Sequence, residues 1–81
     1  MKNEKFEIAI ESAKRTTAPG RFTWVYLMKS GRVEADHNKT EEETKNARFF
    51  ARWAQHVPNR VEQQVIVDWK GNTEFLVKGE K

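Results

Sequence analysis

The stretch Phe22-Thr23-Trp24-Val25-Tyr26-Leu27-Met28 decides how this chain is read. As a strand its side chains alternate, so Phe22, Trp24, Tyr26 and Met28 share one face while Thr23, Val25 and Leu27 share the other. Both faces are apolar. One can build a core, and the second needs either a cover or a partner. Which face does which is the functional question this sequence poses.

Upstream, Phe6-Glu7-Ile8-Ala9-Ile10-Glu11 alternates, with Phe6, Ile8 and Ile10 on one side and Glu7 and Glu11 on the other, which predicts a half-buried strand. Thr16, Thr17, Ala18, Pro19 and Gly20 then break the pattern, and Lys14, Arg15 and Arg21 are interspersed, so residues 12–21 read as a flexible basic loop. Downstream of the aromatic strand, Ser30-Gly31 separates it from the alternating run Arg32-Val33-Glu34-Ala35-Asp36. Glycine supplies the positive φ of a tight turn, so the two runs form a hairpin.

Thr40 with Glu43 three residues later is a capping box, and Glu41, Glu42 and Glu43 suit the positive end of a helix dipole. A helix over about 40–57 follows, its stripe Ala47, Phe50, Trp53, Ala54 and Val57 turned to a sheet, with Arg48 and Arg52 flanking. Pro58-Asn59 ends it. Val61 to Trp69, with Val65, Val67 and Trp69 on one face, then pairs through a turn at Lys70-Gly71-Asn72 with a strand over 73–77, and the tail 78–81 frays.

The expected fold is therefore a single α+β domain over 1–81 in the order βββαββ. One amphipathic helix packs on one face of a five-stranded antiparallel or mixed sheet, and one helix leaves part of such a sheet uncovered.

The 81 residues hold no cysteine, which excludes disulfides and thiolate metal sites. Stability then rests on packing, with three Trp, one Tyr and five Phe as the largest contributors. Fifteen Lys and Arg against twelve Asp and Glu give a net charge of +3, which favours acidic partners and also serves solubility. The charged start Met1-Lys2-Asn3-Glu4-Lys5-Phe6 has no apolar run of signal length behind it. The longest such run, Trp24 to Met28, is too short for a bilayer. These features predict a cytoplasmic protein without a membrane partner. Asn38-Lys39-Thr40 matches the glycosylation acceptor pattern only by chance on that reading.

Lys14, Arg15, Arg21, Phe22, Trp24 and Tyr26 are the candidate binding residues: aromatic rings stack on bases and the cations neutralise phosphates. Residues 20–27 are similar to the aromatic signature strand of RNA-recognition sheets. They lack its Lys/Arg-Gly order and its small residue before the second aromatic, and the element order differs, so no family is assigned. The competing arrangement turns the same rings onto Phe50 and Trp53 as core, leaving Val25 and Leu27 on the open face.

Up-and-down strands would bring the 14–21 loop, Lys39 and Lys70 to one end, and Lys29, Arg32 and Arg60 to the other. The order of elements is also similar to the first part of the ribonuclease H fold if the fourth strand runs parallel. That resemblance implies Mg²⁺ held by Glu11, Glu42 or Glu43, and Asp68, although the glycine-rich hairpin of that fold is missing. His37 and His56 lack ligand spacing, Ser12 and Ser30 lie outside any nucleophile elbow, and the four glycines form no phosphate loop.

The sequence thus predicts a small binding module rather than an enzyme, with no catalytic residue, metal or small-molecule cofactor assigned. Nucleic acid is its first partner class. The alternative is a protein-protein interaction module or small protein modulator acting through an apolar sheet face, or an edge strand at Val33 or Val77, including as a homodimer. A metal-dependent nuclease remnant is the outlying reading.

Overall fold

Asn3 starts the chain as a helix rather than a strand. Its side-chain oxygen accepts the backbone N–H of Phe6 at 3.0 Å, Glu4 and Glu7 occupy the first turn, and Lys14 and Arg15 the last, so both ends suit the helix dipole. In the computed structural model, which describes residues 3–49 and 61–76, helix α1 runs Glu4–Thr16. Phe6, Ile10 and Ala13 are buried at helical spacing, whereas Ile8 is 67% exposed. The alternation of Phe6, Ile8 and Ile10 is therefore incidental. Ala9, packed against the same core, completes a helical stripe that a period of two conceals.

The predicted order βββαββ and five strands are corrected accordingly. The described residues form α1, β1 (Phe22–Met28), β2 (Val33–Lys39), α2 (Glu41–Phe49), β3 (Val61–Asp68) and β4 (Thr73–Leu76). Two helices accompany one four-stranded sheet of order β2-β1-β3-β4, antiparallel at every pairing. Phe50, Arg52, Trp53, Ala54, His56 and Val57 of the predicted helix, together with Pro58, Asn59, Arg60, Val77 and the tail 78–81, lie outside the described residues.

The predicted loop 12–21 is in part helix, since Ser12 to Thr16 complete α1. The remainder is pinned. The Arg21 N–H donates to the Ala18 carbonyl at 3.0 Å, with Pro19 pre-setting the turn, and the Ala18 N–H donates to the Asn38 side chain at 3.0 Å. Both hairpins close in the same way. Gly31 N–H donates to Met28 C=O at 2.9 Å and Gly71 N–H to Asp68 C=O at 3.1 Å, with the glycines at φ 94° and 89°. A three-residue loop needs a left-handed residue at that place, and glycine takes it without strain.

Helix α1 packs on the face of Thr23, Val25 and Leu27. Phe6, Ile10 and Ala13 meet Val25, Val65 and Val67, with Ala9, Leu27, Val33 and Ala35 at the margin. The face of Phe22, Trp24, Tyr26 and Met28 is the opposite one. Side-chain contacts tie α2 to it, among them the Trp24 Nε1–H donating to Thr44 Oγ1 at 3.1 Å and Arg48 pairing with Glu74 of β4 at 2.8 Å. Tyr26, Met28 and Leu76 gather around buried Val61 farther along that face. Among the described residues no helix is long and apolar enough to cross a membrane.

Candidate nucleic-acid interface

Asn38 determines what surrounds the aromatic strand. Pairing of β1 with β2 shifts between Trp24↔Asp36 and Phe22↔Lys39, so β2 carries one extra residue there. Asn38 adopts φ 56°, a left-handed conformation that asparagine tolerates, and is held by the bond from Ala18. The extra residue inverts the alternation. Lys39 would otherwise share the face of Val33 and Ala35; the bulge moves it to the face of Phe22 and Trp24. Its Nζ stands 4.9 Å from the Trp24 ring centroid and 3.7 Å from Glu43.

The second hairpin supplies the other half. Phe22 pairs with Asp68, and its ring meets Trp69 edge to face, the centroids 5.7 Å apart and the planes at 88°. Lys70 Nζ lies 5.4 Å from the Trp69 ring centroid. Asp68 holds the turn: its carboxylate accepts the N–H groups of Lys70 and Asn72 at 2.9 and 2.8 Å and the Asn72 amide at 3.1 Å. Desolvation pushes this carboxyl upward, but the Asn72 and Lys70 donors outweigh it and hold the group below the usual carboxylate range. Three rings and two ammonium groups therefore meet where β1 begins and β2 and β3 end, beside Arg21. Neither Arg21 nor Lys70 has an ion pair among the described residues.

The structure divides the sequence-derived site in two. Phe22 and Trp24 belong to this cluster, with Arg21 next to it in the chain. Tyr26 lies farther along the strand, its hydroxyl donating to Asp36 at 3.4 Å; burial, then Asp36 and Glu34, push its pKa up to about 12. Those carboxylates make its surroundings unfavourable for phosphate. Lys14 and Arg15 sit on α1, across the sheet from the rings. Lys14 pairs with Glu11 at 2.9 Å, and Arg15 borders a shallow depression with Glu7, Ile8 and Glu11.

Of the basic residues expected at one end, Arg21, Lys39 and Lys70 lie where β1 begins and β2 and β3 end, whereas Lys14 and Arg15 are on α1; Lys29 and Arg32 lie at the other end, in the first hairpin, and Arg60 is outside the described residues. The sequence reading missed Trp69, placing it in the strand with Val65 and Val67. The spacing Asp68 to Gly71, which repeats Met28 to Gly31, is the signal that puts Trp69 in the turn.

The carboxylates considered for metal do not converge. Glu11 lies on α1, not at a strand end. Glu43 is engaged in the capping box, where the Thr40 N–H donates to it at 2.8 Å; that bond, against some desolvation, keeps its carboxyl low. β2 and β3, joined through α2, do run in the same direction, but the first strand that the ribonuclease H comparison requires is helix α1, and every strand pairing is antiparallel. Among the described residues no three His, Cys, Asp or Glu side chains are grouped to hold a metal ion. Comparison with protein-family models, curated proteins and solved structures finds no match.

Proposed function

We propose that this chain is a non-enzymatic nucleic-acid-binding module whose contact surface is the sheet end bearing Arg21, Phe22, Trp24, Lys39, Trp69 and Lys70. The interleaving of rings and ammonium groups carries this reading: Lys39 over Trp24, Lys70 over Trp69, and Phe22 against Trp69. Phosphates supply most of the affinity in such contacts, and bases or their edges supply the apolar complement.

Three cations engaging phosphate predict a slope of log affinity against log salt of roughly −2 for a single strand and steeper for a duplex. Fluorescence anisotropy of labelled oligonucleotides between about 50 and 200 mM salt measures it. Arg21→Glu combined with Lys70→Glu should abolish binding, while Lys29→Glu combined with Arg32→Glu at the far end should leave it nearly intact. Salt-independent binding, or equal losses from both pairs, would overturn the reading.

The second reading is a homodimer, favoured by Phe75, 49% exposed on β4, the outer strand of the sheet among the described residues. Light scattering that shows a dimer, converted to monomer by Phe75→Ser, would support it.

A further inference from the structure

We infer that the ligand of this surface is an unpaired strand, with one base stacked on Trp69, and not a duplex. The inference rests on the nucleic-acid reading above and specifies its substrate class. Trp69 stands in the turn after β3, 36% exposed, and its orientation is fixed by Phe22 at 88°. Lys70, the next residue, covers the ring with a flexible ammonium group that has no ion pair among the described residues. A base stacked on an indole gains more than a surface ammonium does, so the lysine yields the ring and takes the adjoining phosphate. Trp24 is committed differently. It is half-buried, its N–H is held by Thr44, and Lys39 over it is shared with Glu43, so it backs the platform.

A duplex fits this end poorly. Its bases are stacked inward and present only edges and phosphates, leaving Trp69 without a face to engage. The first turn of α2, with Glu41, Glu42 and Glu43, borders the same end and would oppose a second row of phosphates. A single strand needs only one row of phosphates, along Arg21, Lys39 and Lys70.

The test compares fluorescein-labelled oligo(dT) with a hairpin duplex of similar length, by anisotropy and by quenching of intrinsic tryptophan fluorescence. Oligo(dT) should bind at least roughly tenfold more tightly than the duplex and quench the indole signal. Trp69→Ala should weaken binding roughly ten- to hundredfold, and Trp69→Tyr, which keeps a ring in the turn, should retain most of it. Circular dichroism confirms that both variants fold. Equal affinity for the duplex, or oligo(dT) binding indifferent to Trp69→Ala, overturns the single-strand inference while leaving nucleic-acid binding intact. Absence of binding to either probe overturns both.

Discussion

Thr23 shows how one buried hydroxyl can join a helix to a sheet. Its Oγ1 lies 2.7 Å from Thr17 Oγ1, and the Thr17 hydroxyl donates to the Ala13 carbonyl at 2.6 Å. Thr17 has spent its only proton, so Thr23 must be the donor to it, and the chain runs Thr23 to Thr17 to Ala13. This direction predicts an asymmetry. Thr17→Val strands a fully buried Thr23 hydroxyl and should cost about 1–3 kcal/mol in urea denaturation, whereas Thr23→Val should cost about 1 kcal/mol or less. The double variant should be more stable than Thr17→Val alone, because no donor is then left unpaired. Tyr26 gives a second residue-level expectation, and as the chain's one tyrosine it can be titrated without ambiguity. Its folded pKa of about 12 lies above the unfolded value of about 10. The folded state therefore holds the phenolic proton more tightly, and the stability this provides is present below pH ~10 and lost as pH rises toward 12. Phenolate absorbance should show the late titration. Tyr26→Phe should flatten the alkaline fall in stability, and Asp36→Asn should lower the pKa only in part, since burial is the larger cause.

At the scale of elements, Ile8 separates the two readings of the amino-terminal segment. A strand would bury Phe6, Ile8 and Ile10 together; α1 buries Phe6 and Ile10 and leaves Ile8 outside. Ile10→Ala should therefore cost about 2–5 kcal/mol, and Ile8→Gln should fall within about 0.5 kcal/mol of the parent. A large loss at Ile8 would contradict the helix. The segment misled because six residues satisfy either period, and the deciding signals, Asn3 at the cap and Ala13 a full turn beyond Ile10, fall outside that window. Elements with two agreeing local signals were legible. The aromatic strand and the Thr40–Glu43 box stand where they were read, the latter with reciprocal bonds of 2.8 and 3.1 Å; both glycine-closed hairpins form, with the return strand of the first at Val33–Lys39 rather than 32–36 and Trp69 in the turn of the second. The bulge at Asn38 was not legible, because an inserted residue leaves the composition of a strand unchanged while inverting everything after it. Asn38→Val should destabilise by about 1–2 kcal/mol, since a β-branched residue resists φ 56°, whereas Asn38→Gly should be milder.

For the whole molecule, the sheet acts as a divider, and that changes which of the basic residues can act together. Arg15, Lys14 and Arg21 are close in sequence, and proximity in the chain made them one candidate cluster with Phe22, Trp24 and Tyr26. Folding sends the carboxyl-terminal turn of α1 to one side of the sheet and the rings to the other, while Lys39 and Lys70, distant in sequence, converge on the rings. Half of the candidate site was thus legible as residue types, but its assembly depended on the unseen helix and bulge. Charges on opposite sides couple weakly here, because the shortest dimension of the molecule, 17 Å, exceeds the screening length of about 8–10 Å near physiological salt. Lys14→Gln combined with Arg15→Gln should therefore change oligonucleotide affinity by less than about threefold at 0.15 M salt, and somewhat more at low salt, where screening lengthens. Lys39→Gln combined with Lys70→Gln removes the same charge from beside the rings and should weaken binding by roughly tenfold or more, with the salt slope reduced by about 1.4. Anisotropy titrations of the two variants side by side hold net charge constant and vary only its position. Equal losses would mean that overall charge, not the aromatic end of the sheet, attracts the strand.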